Sequence, residues 1–425
     1  MSFRGFLTQC SLALTLALAV ALGPSQSPAT AAEPDTGIVD FAYAGLAAPT
    51  SEKPQSKLWY NDGRWWADML AANGNHYIFY LDRVTQQWIR TATRLDSRTQ
   101  TKSDCLWDGT HLYVASGGGF ESTGADLDGV LYRFSYSAAS KTYSRDFGPI
   151  TIRPGGAEAI VIDEDSTGRL WITYAQAGEI YLSHSLGTDR QWGAPFPMPA
   201  SGVNEHISAD DISTLVAFNG HIGVLWSNQL DSTVNFASHA DGAADTAWSG
   251  EVVLRDPNIA DDHINLKAVP GDPSGRVFAV VKTSYPAATV DTPRILLLTR
   301  QPSGAWQTTI VSTGADHQTR PILLIDPGHQ QLSIFSANEG GGVIYLKQTA
   351  LDNPQFAPGK GTPFIGNATY TMIDNPTSTK QPIGDASGIV VLASDELHAR
   401  YLHNTLGLAP VTAPSQQVYL ALLCR

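Results

Sequence analysis

Six short segments of this chain set carboxylates, imidazoles and amines beside one another. They are Lys102-Ser103-Asp104, Gly156-Ala157-Glu158, His206 to Asp211 (HISADD), Asp261 to Lys267 (DDHINLK), His317 to Arg320 (HQTR) and Thr377 to Lys380 (TSTK). Side chains of these types support two chemistries on a polar ligand such as a sugar or a uronate. Hydrolysis of a glycosidic bond needs two flanking carboxyl groups, one protonated as acid and one ionised as nucleophile or base. Asp104, Glu158, Asp210, Asp211 and Asp262 are the candidates. Eliminative cleavage of a uronate polymer needs a cation over the carboxylate and a His or Tyr to remove the α proton. His206 or His263 would be that base, with Lys267, Arg320 and Lys380 as cations. Asn228, Gln229 and Tyr285, in segments that follow, are candidate substrate contacts. The structural alternative is a ring of ion pairs, with Asp210, Asp211 and Asp262 meeting Lys267, Arg320 and Lys380.

Other chemistries find less support. Asp163-Glu164-Asp165 before Gly168 lacks the later glutamate of an EF-hand loop, so solvated acids in a turn are expected there. Asp261-Asp262-His263 is a candidate ligand set for a structural cation such as Ca²⁺, and no other cofactor is expected. There is no G-x-S-x-G nucleophile elbow, and Gly117-Gly118-Gly119 does not lead from a strand into a helix as a phosphate loop would.

The elements that would bring these segments together repeat along the chain. A turn of Asp or Asn with Gly precedes a short aromatic and β-branched run seven times, as in Asp62-Gly63 before RWWADML and Asn219-Gly220 before HIGVLWS. The glycines fall at 63, 109, 168, 220, 275, 328 and 388, roughly 46 to 60 residues apart, the size of one propeller blade. Each turn follows another strand-like run (KLWY, DCLW, AEAIVI, STLVAF, LKAVP, PILLI, TKQPI), so every unit begins as a hairpin. With no convincing amphipathic helix, the pattern predicts an all-β, single-domain, seven-bladed β-propeller of four-stranded blades. The chemistry-bearing segments then all enter innermost strands at one mouth of the central channel. Either Gly37 to Tyr43 (GIVDFAY) or Gln417 to Leu423 (QVYLALL) closes the last blade, the N-terminal run being preferred.

Composition agrees with that reading. The 425 residues are 43% hydrophobic and only 16% charged, with 38 Gly, 25 Pro and 10 Trp. A formal net charge of −13 excludes a nucleic-acid partner, since phosphates would go unneutralised. Arg4, the apolar run Ser11 to Gly23 and Ala29-Thr30-Ala31 read as a secretory leader over residues 1–31, with no membrane span after it. Secretion, extracellular or periplasmic, is therefore expected, and Cys105 and Cys424 are a possible disulfide pair.

Asp165-Ser-Thr-Gly-Arg-Leu-Trp171 resembles the Asp-box, S-x-D-x-G-x-T-W, of sialidase-like propellers, and Asp272 to Phe278 (DPSGRVF) repeats it more loosely. The resemblance implies the propeller fold. It also implies an arginine triad, a tyrosine–glutamate nucleophile pair and an aspartate acid, of which only Arg320 has a plausible counterpart here. The strand-entry segments differ from blade to blade, which favours one composite carbohydrate site over the repeated sites of a lectin. A glycoside hydrolase is the first expectation, a polysaccharide lyase the second, and a lectin or protein-binding propeller the third.

Overall fold

The runs after the seven turns and six of the seven runs before them form strands of seven antiparallel sheets, and a closed ring is what lets each sheet cover both of its faces. The computed structural model describes residues 35–119, 127–286 and 290–407, which belong to one compact unit. Residues 1–31, where a leader is expected, Gln417 to Leu423 and Cys424 lie outside the described residues. The fold is a seven-bladed β-propeller. Among the described residues the sole helix is a 3₁₀ turn at Gly314–Asp316, and no helix is long and apolar enough to cross a membrane.

Blade 1 shows how the sequence builds a blade. Leu58–Asn61 lines the channel, Asp62-Gly63 turns the chain with both residues at positive φ, and Arg64–Leu70, His76–Asp82 and Gln87–Asp96 follow outward. Glycine needs no Cβ room at such a turn, and aspartate tolerates it. Alternation along Arg64–Leu70 sends Trp65 and Trp66 to opposite faces, and both are core residues. Trp65 packs in a cluster shared with blade 7, and Trp66 in one shared with Cys105, Val114 and Tyr143 of blade 2. Each indole buries roughly 150–250 Å², worth about 4–6 kcal/mol at ~25 cal/mol per Å².

The Asp-box-like turn of blade 3 is held by one carboxylate. Asp165 Oδ1 accepts from Thr167 N (2.9 Å), Thr167 Oγ1 (2.6 Å) and Arg169 N (3.0 Å), and Oδ2 accepts from Trp171 Nε1 (2.9 Å). Burial would raise this acid, but the hydrogen bonds outweigh it and hold the group below the ordinary carboxylate range. Two strands of the repeat depart from expectation. The inner strand of blade 7 is Ile373–Thr377, so TKQPI forms the long connection to Ile389–Asp395. In blade 3 the outer position is shared, because Thr188–Trp192 and Phe196–Pro197 both pair with Glu179–Leu186.

Ile38–Ala42 is the outer strand of blade 7, pairing Ile38 with His403 and Val39 with Leu402. The buried pair Asp40 Oδ2–His403 Nδ1 at 2.7 Å fastens it. That closure has a consequence inside the ring. The chain must travel from the rim of blade 7 to the innermost strand of blade 1, and residues Thr50–Lys57 do so buried in the central channel. This plug bonds to four blades. Ser56 O accepts from Cys105 N (2.8 Å), Gln55 Nε2 donates to Ile160 O (2.9 Å), Asn265 Nδ2 donates to Lys53 O (2.9 Å), and Lys57 N donates to Thr377 Oγ1 (3.2 Å).

Asp104, fully buried, is the anchor of the plug. Its carboxylate accepts from Ser56 N (2.7 Å) and Ile162 N (2.8 Å) and pairs with Lys380 Nζ (2.8 Å). Asp104→Ala leaves a buried ammonium and two backbone donors unpaired, so a loss of about 3–5 kcal/mol is expected. Urea denaturation measures it, and Asp104→Asn should recover part of the loss.

Candidate functional site

Innermost strands begin at the top face of the disc, and the top mouth collects most of the charged segments. Glu158 precedes the inner strand of blade 3, Val161–Glu164. Asp210 precedes that of blade 4, Ser213–Phe218, and Asp262 that of blade 5, Ile264–Ala268. Carboxylate oxygens of Glu158, Asp210 and Asp262 lie within 4.8 Å of one another. Asp210 is exposed and receives Gln229 Nε2 at 3.0 Å, while Glu158 and Asp262 are largely covered.

The plug supplies the counter-charge. Lys53 Nζ lies 2.9 Å from Glu52, 2.8 Å from Asp262 and 3.5 Å from Glu158. Burial opposes its charge, yet these three carboxylates more than compensate and raise the amine above its ordinary value. Lys102 pairs with Glu52 on the other side, so Glu52 stays ionised despite burial. Asp262 is likewise held below the ordinary range against burial, by a hydrogen bond with His263 and by Lys53. Behind it, His263 Nδ1 contacts both Asp261 and Asp262, and Asp261 also receives Lys282 Nζ and Ser284 Oγ.

Glu158 is the exception in this cluster. Burial pushes its carboxyl up, Lys53 lowers it, and the charges of Glu52, Asp262 and Asp210 raise it again, to about 8. A carboxyl group whose pKa is raised thus stands beside the accessible side chain of Asp210. Two acidic groups of three residues have donor atoms close enough for a metal, Asp261–Asp262–His263 and Glu158–Asp210–Asp262. The Lys53 ammonium already occupies the position between Glu158 and Asp262 where a cation's charge would act, and the plug serves the cluster as its cation.

The remaining candidates divide into three places. Asp104, Lys267 and Lys380 lie below the plug: Lys267 Nζ donates to Thr379 O (2.9 Å) and Ser56 Oγ (3.3 Å). Asp211 is fully buried and ties a top loop of blade 4, accepting from Ser208 N (2.8 Å), Ser227 Oγ (2.8 Å) and Gln229 N (3.1 Å). Asn228 is buried in the same loop, bonded to Glu205 O at 2.8 Å, and His206 stands exposed at its rim, 3.4 Å from Asp231. On the remaining part of the mouth, Arg320 pairs with Asp374 at 2.9 Å, and the Tyr285 hydroxyl donates to Asp256. Of the ring bridges that sequence admits, none joins the expected partners. Lys380 takes Asp104, Arg320 takes Asp374, and Asp262 takes Lys53. Glu52 and Lys53 were not among the sequence candidates, because a polar stretch ahead of a first strand reads as an ordinary loop.

No family model matches this chain, and no curated protein matches it. Among solved structures it is similar to polysaccharide lyase Uly1, at 10% identity and TM-score 0.47 over 89% of this chain and 94% of that one. It is similar also to a protein of unknown function from Dyadobacter fermentans DSM 18053, at 13% identity and TM-score 0.46, covering 72% and 93%. For NanB sialidase of Streptococcus pneumoniae the identity is 10% and the TM-score 0.36, over 68% of this chain and 48% of that one. Likenesses this distant carry no residue role to this chain.

The Glu158 proton has a stability signature. A carboxyl raised from 4.5 to about 8 on folding makes the native state bind more protons than the unfolded chain between those values. Its contribution is therefore present below pH 4.5 and is lost as pH rises through 8. Glu158→Gln should flatten that part of the stability–pH profile, as urea melts at pH 5, 6.5 and 8 would show.

Proposed function

We propose that the top mouth is the active site of an exported glycoside hydrolase, with Glu158 as general acid and Asp210 as nucleophile. One observation carries this reading: a largely covered carboxyl group, whose pKa burial raises, lies within 4.8 Å of an open carboxyl group. Glycosidases need that division of roles, and carboxyl groups this close are nearer the short spacing of retaining enzymes than the long spacing of inverting ones. Asp210 is the better nucleophile of the two remaining acids, since Lys53 and His263 already engage Asp262. Asp262 and Glu52 act instead through their charge, which keeps the proton on Glu158. Arg320 and Gln229 are the donors this reading assigns to sugar hydroxyls, and Tyr285, whose hydroxyl is taken by Asp256, would offer its ring face.

In the reaction Glu158 would protonate the leaving oxygen while Asp210 attacks the anomeric carbon. Water, activated by the Glu158 carboxylate, would then release the sugar and return the proton. The protein lacking its leader, tested on neutral and uronate-containing polysaccharides, should release reducing sugar without new ultraviolet absorbance. Glu158→Gln should lower kcat by about 10²–10⁴-fold, and Asp210→Asn at least as much, with melting temperatures retained. Absorbance of an unsaturated uronate would replace this reading with lyase chemistry. Glycan binding without turnover would leave a lectin.

A further inference from the structure

At the end of the channel opposite the carboxylate cluster, a cavity of about 620 Å³ opens on the bottom face. That volume suits a small ligand. Its walls are the ends of inner strands and the turns after them, with Trp107, Leu215, Phe218 and Leu266 among the apolar residues. Two lysines share the wall nearest the plug, and they are not alike. Lys380 is paired with Asp104. Lys267, 7% exposed, forms no salt bridge among the described residues, and its Nζ donates to two neutral oxygens, Thr379 O and Ser56 Oγ.

Two acceptors suit an uncharged amine, which has two N–H donors and a lone pair. Desolvation beside a second ammonium is a known way to free that lone pair for attack on a carbonyl. The charged groups that bear on Lys267 agree. Burial and the Lys380 ammonium lower it, Asp104 and Asp163 raise it, and the outcome is about 7. A proton source lies in the same cavity wall. Glu164 is half-buried, and burial together with Asp108, Asp163 and Asp165 pushes its carboxyl to about 7.

We propose that the bottom cavity is a carbonyl-binding site in which Lys267 Nζ forms a reversible imine with an apolar aldehyde or ketone. The lone pair of Nζ attacks the carbonyl carbon, and the carbonyl π pair takes up a proton as the nitrogen loses one, giving a carbinolamine. Glu164 protonates that hydroxyl, water leaves, and the nitrogen lone pair forms the C=N bond. Loss of the remaining N–H proton, returned to Glu164 through solvent, gives the neutral imine; one water is released per carbonyl bound. The ligand is uncharged or cationic, because Asp108, Asp163, Glu164, Asp165, Asp241 and Asp272 all line the cavity and disfavour an anion. This site is independent of the hydrolase reading.

The test is reductive trapping. The protein is incubated at pH 7 with benzaldehyde and sodium cyanoborohydride, and the adduct is located by peptide mass spectrometry. A single benzyl group at Lys267, formed at least tenfold faster than at any other lysine, is expected. Glyoxylate, an anionic aldehyde, should label that position at least tenfold more slowly than benzaldehyde. Lys267→Met should abolish the fast adduct, with its circular dichroism melt checked against the parent. Glu164→Gln should slow adduct formation without moving its position. Labelling of wild-type protein spread over surface lysines with no preference for Lys267 overturns the proposal without recourse to any variant, as does equal labelling by glyoxylate.

Discussion

The ammonium of Lys53, enclosed by Glu52, Glu158 and Asp262, is the charge around which the upper channel is organised. Three carboxylates at such separations cannot all be ionised in a poorly solvated mouth without a cation among them. Lys53 is enough for Glu52 and Asp262, the former with help from Lys102 and the latter with help from His263. It does not offset burial at Glu158 as well, so burial first and the neighbouring carboxylates second raise that group's pKa. Perturbed acidity at this mouth thus reflects burial together with how many acids one lysine must serve.

The same segment partitions the channel. Above it the lining is ionic, open and fed by loops from several blades. Below it the lining is largely apolar, with amines at the inner end and acids around the opening. A propeller without such a plug would expose one continuous tunnel, in which both ends share solvent and field. Here the two ends carry independent electrostatics, and buried Asp104 joins them mechanically because it holds the plug and Lys380 at once.

Sequence carries the ring far better than the site. Seven Asp/Asn–Gly turns mark the blades because each hairpin needs residues that accept positive φ, a requirement local to a few positions, and Asp62, Gly63 and Gly168 meet it. Asp262 and Glu158, both expected at one mouth, have carboxylate oxygens within 4.8 Å of each other. Pairing is not legible, since which ammonium reaches which carboxylate depends on radial position inside the channel. Asp104 and Lys380 come from segments that look in sequence like those of Glu158 and Asp262, but Asp104 lies midway along its strand and Lys380 follows the end of Ile373–Thr377, so both lie below the plug. Asp211 follows Asp210 directly, but one is fully buried in loop hydrogen bonds and the other is open to solvent. The plug itself had a topological signal. Once GIVDFAY is placed on the rim of blade 7, the next residues must cross the full radius of the disc to reach KLWY.

Pairing of Ile38–Ala42 with Arg400–Leu406 brings the two ends of the described chain into one sheet. Contacts between residues so distant in sequence carry a large loop-closure entropy and raise contact order, which slows folding. The order of events is constrained as well. The rim strand has no sheet to join until blade 7 exists, and the plug cannot seat until blades 2, 3, 5 and 7 surround it. The three carboxylates of Glu158, Asp210 and Asp262 belong to adjoining blades 3, 4 and 5, whereas the Lys53 ammonium that serves them arrives only with the plug, so their counter-charge comes into being together with the closed ring.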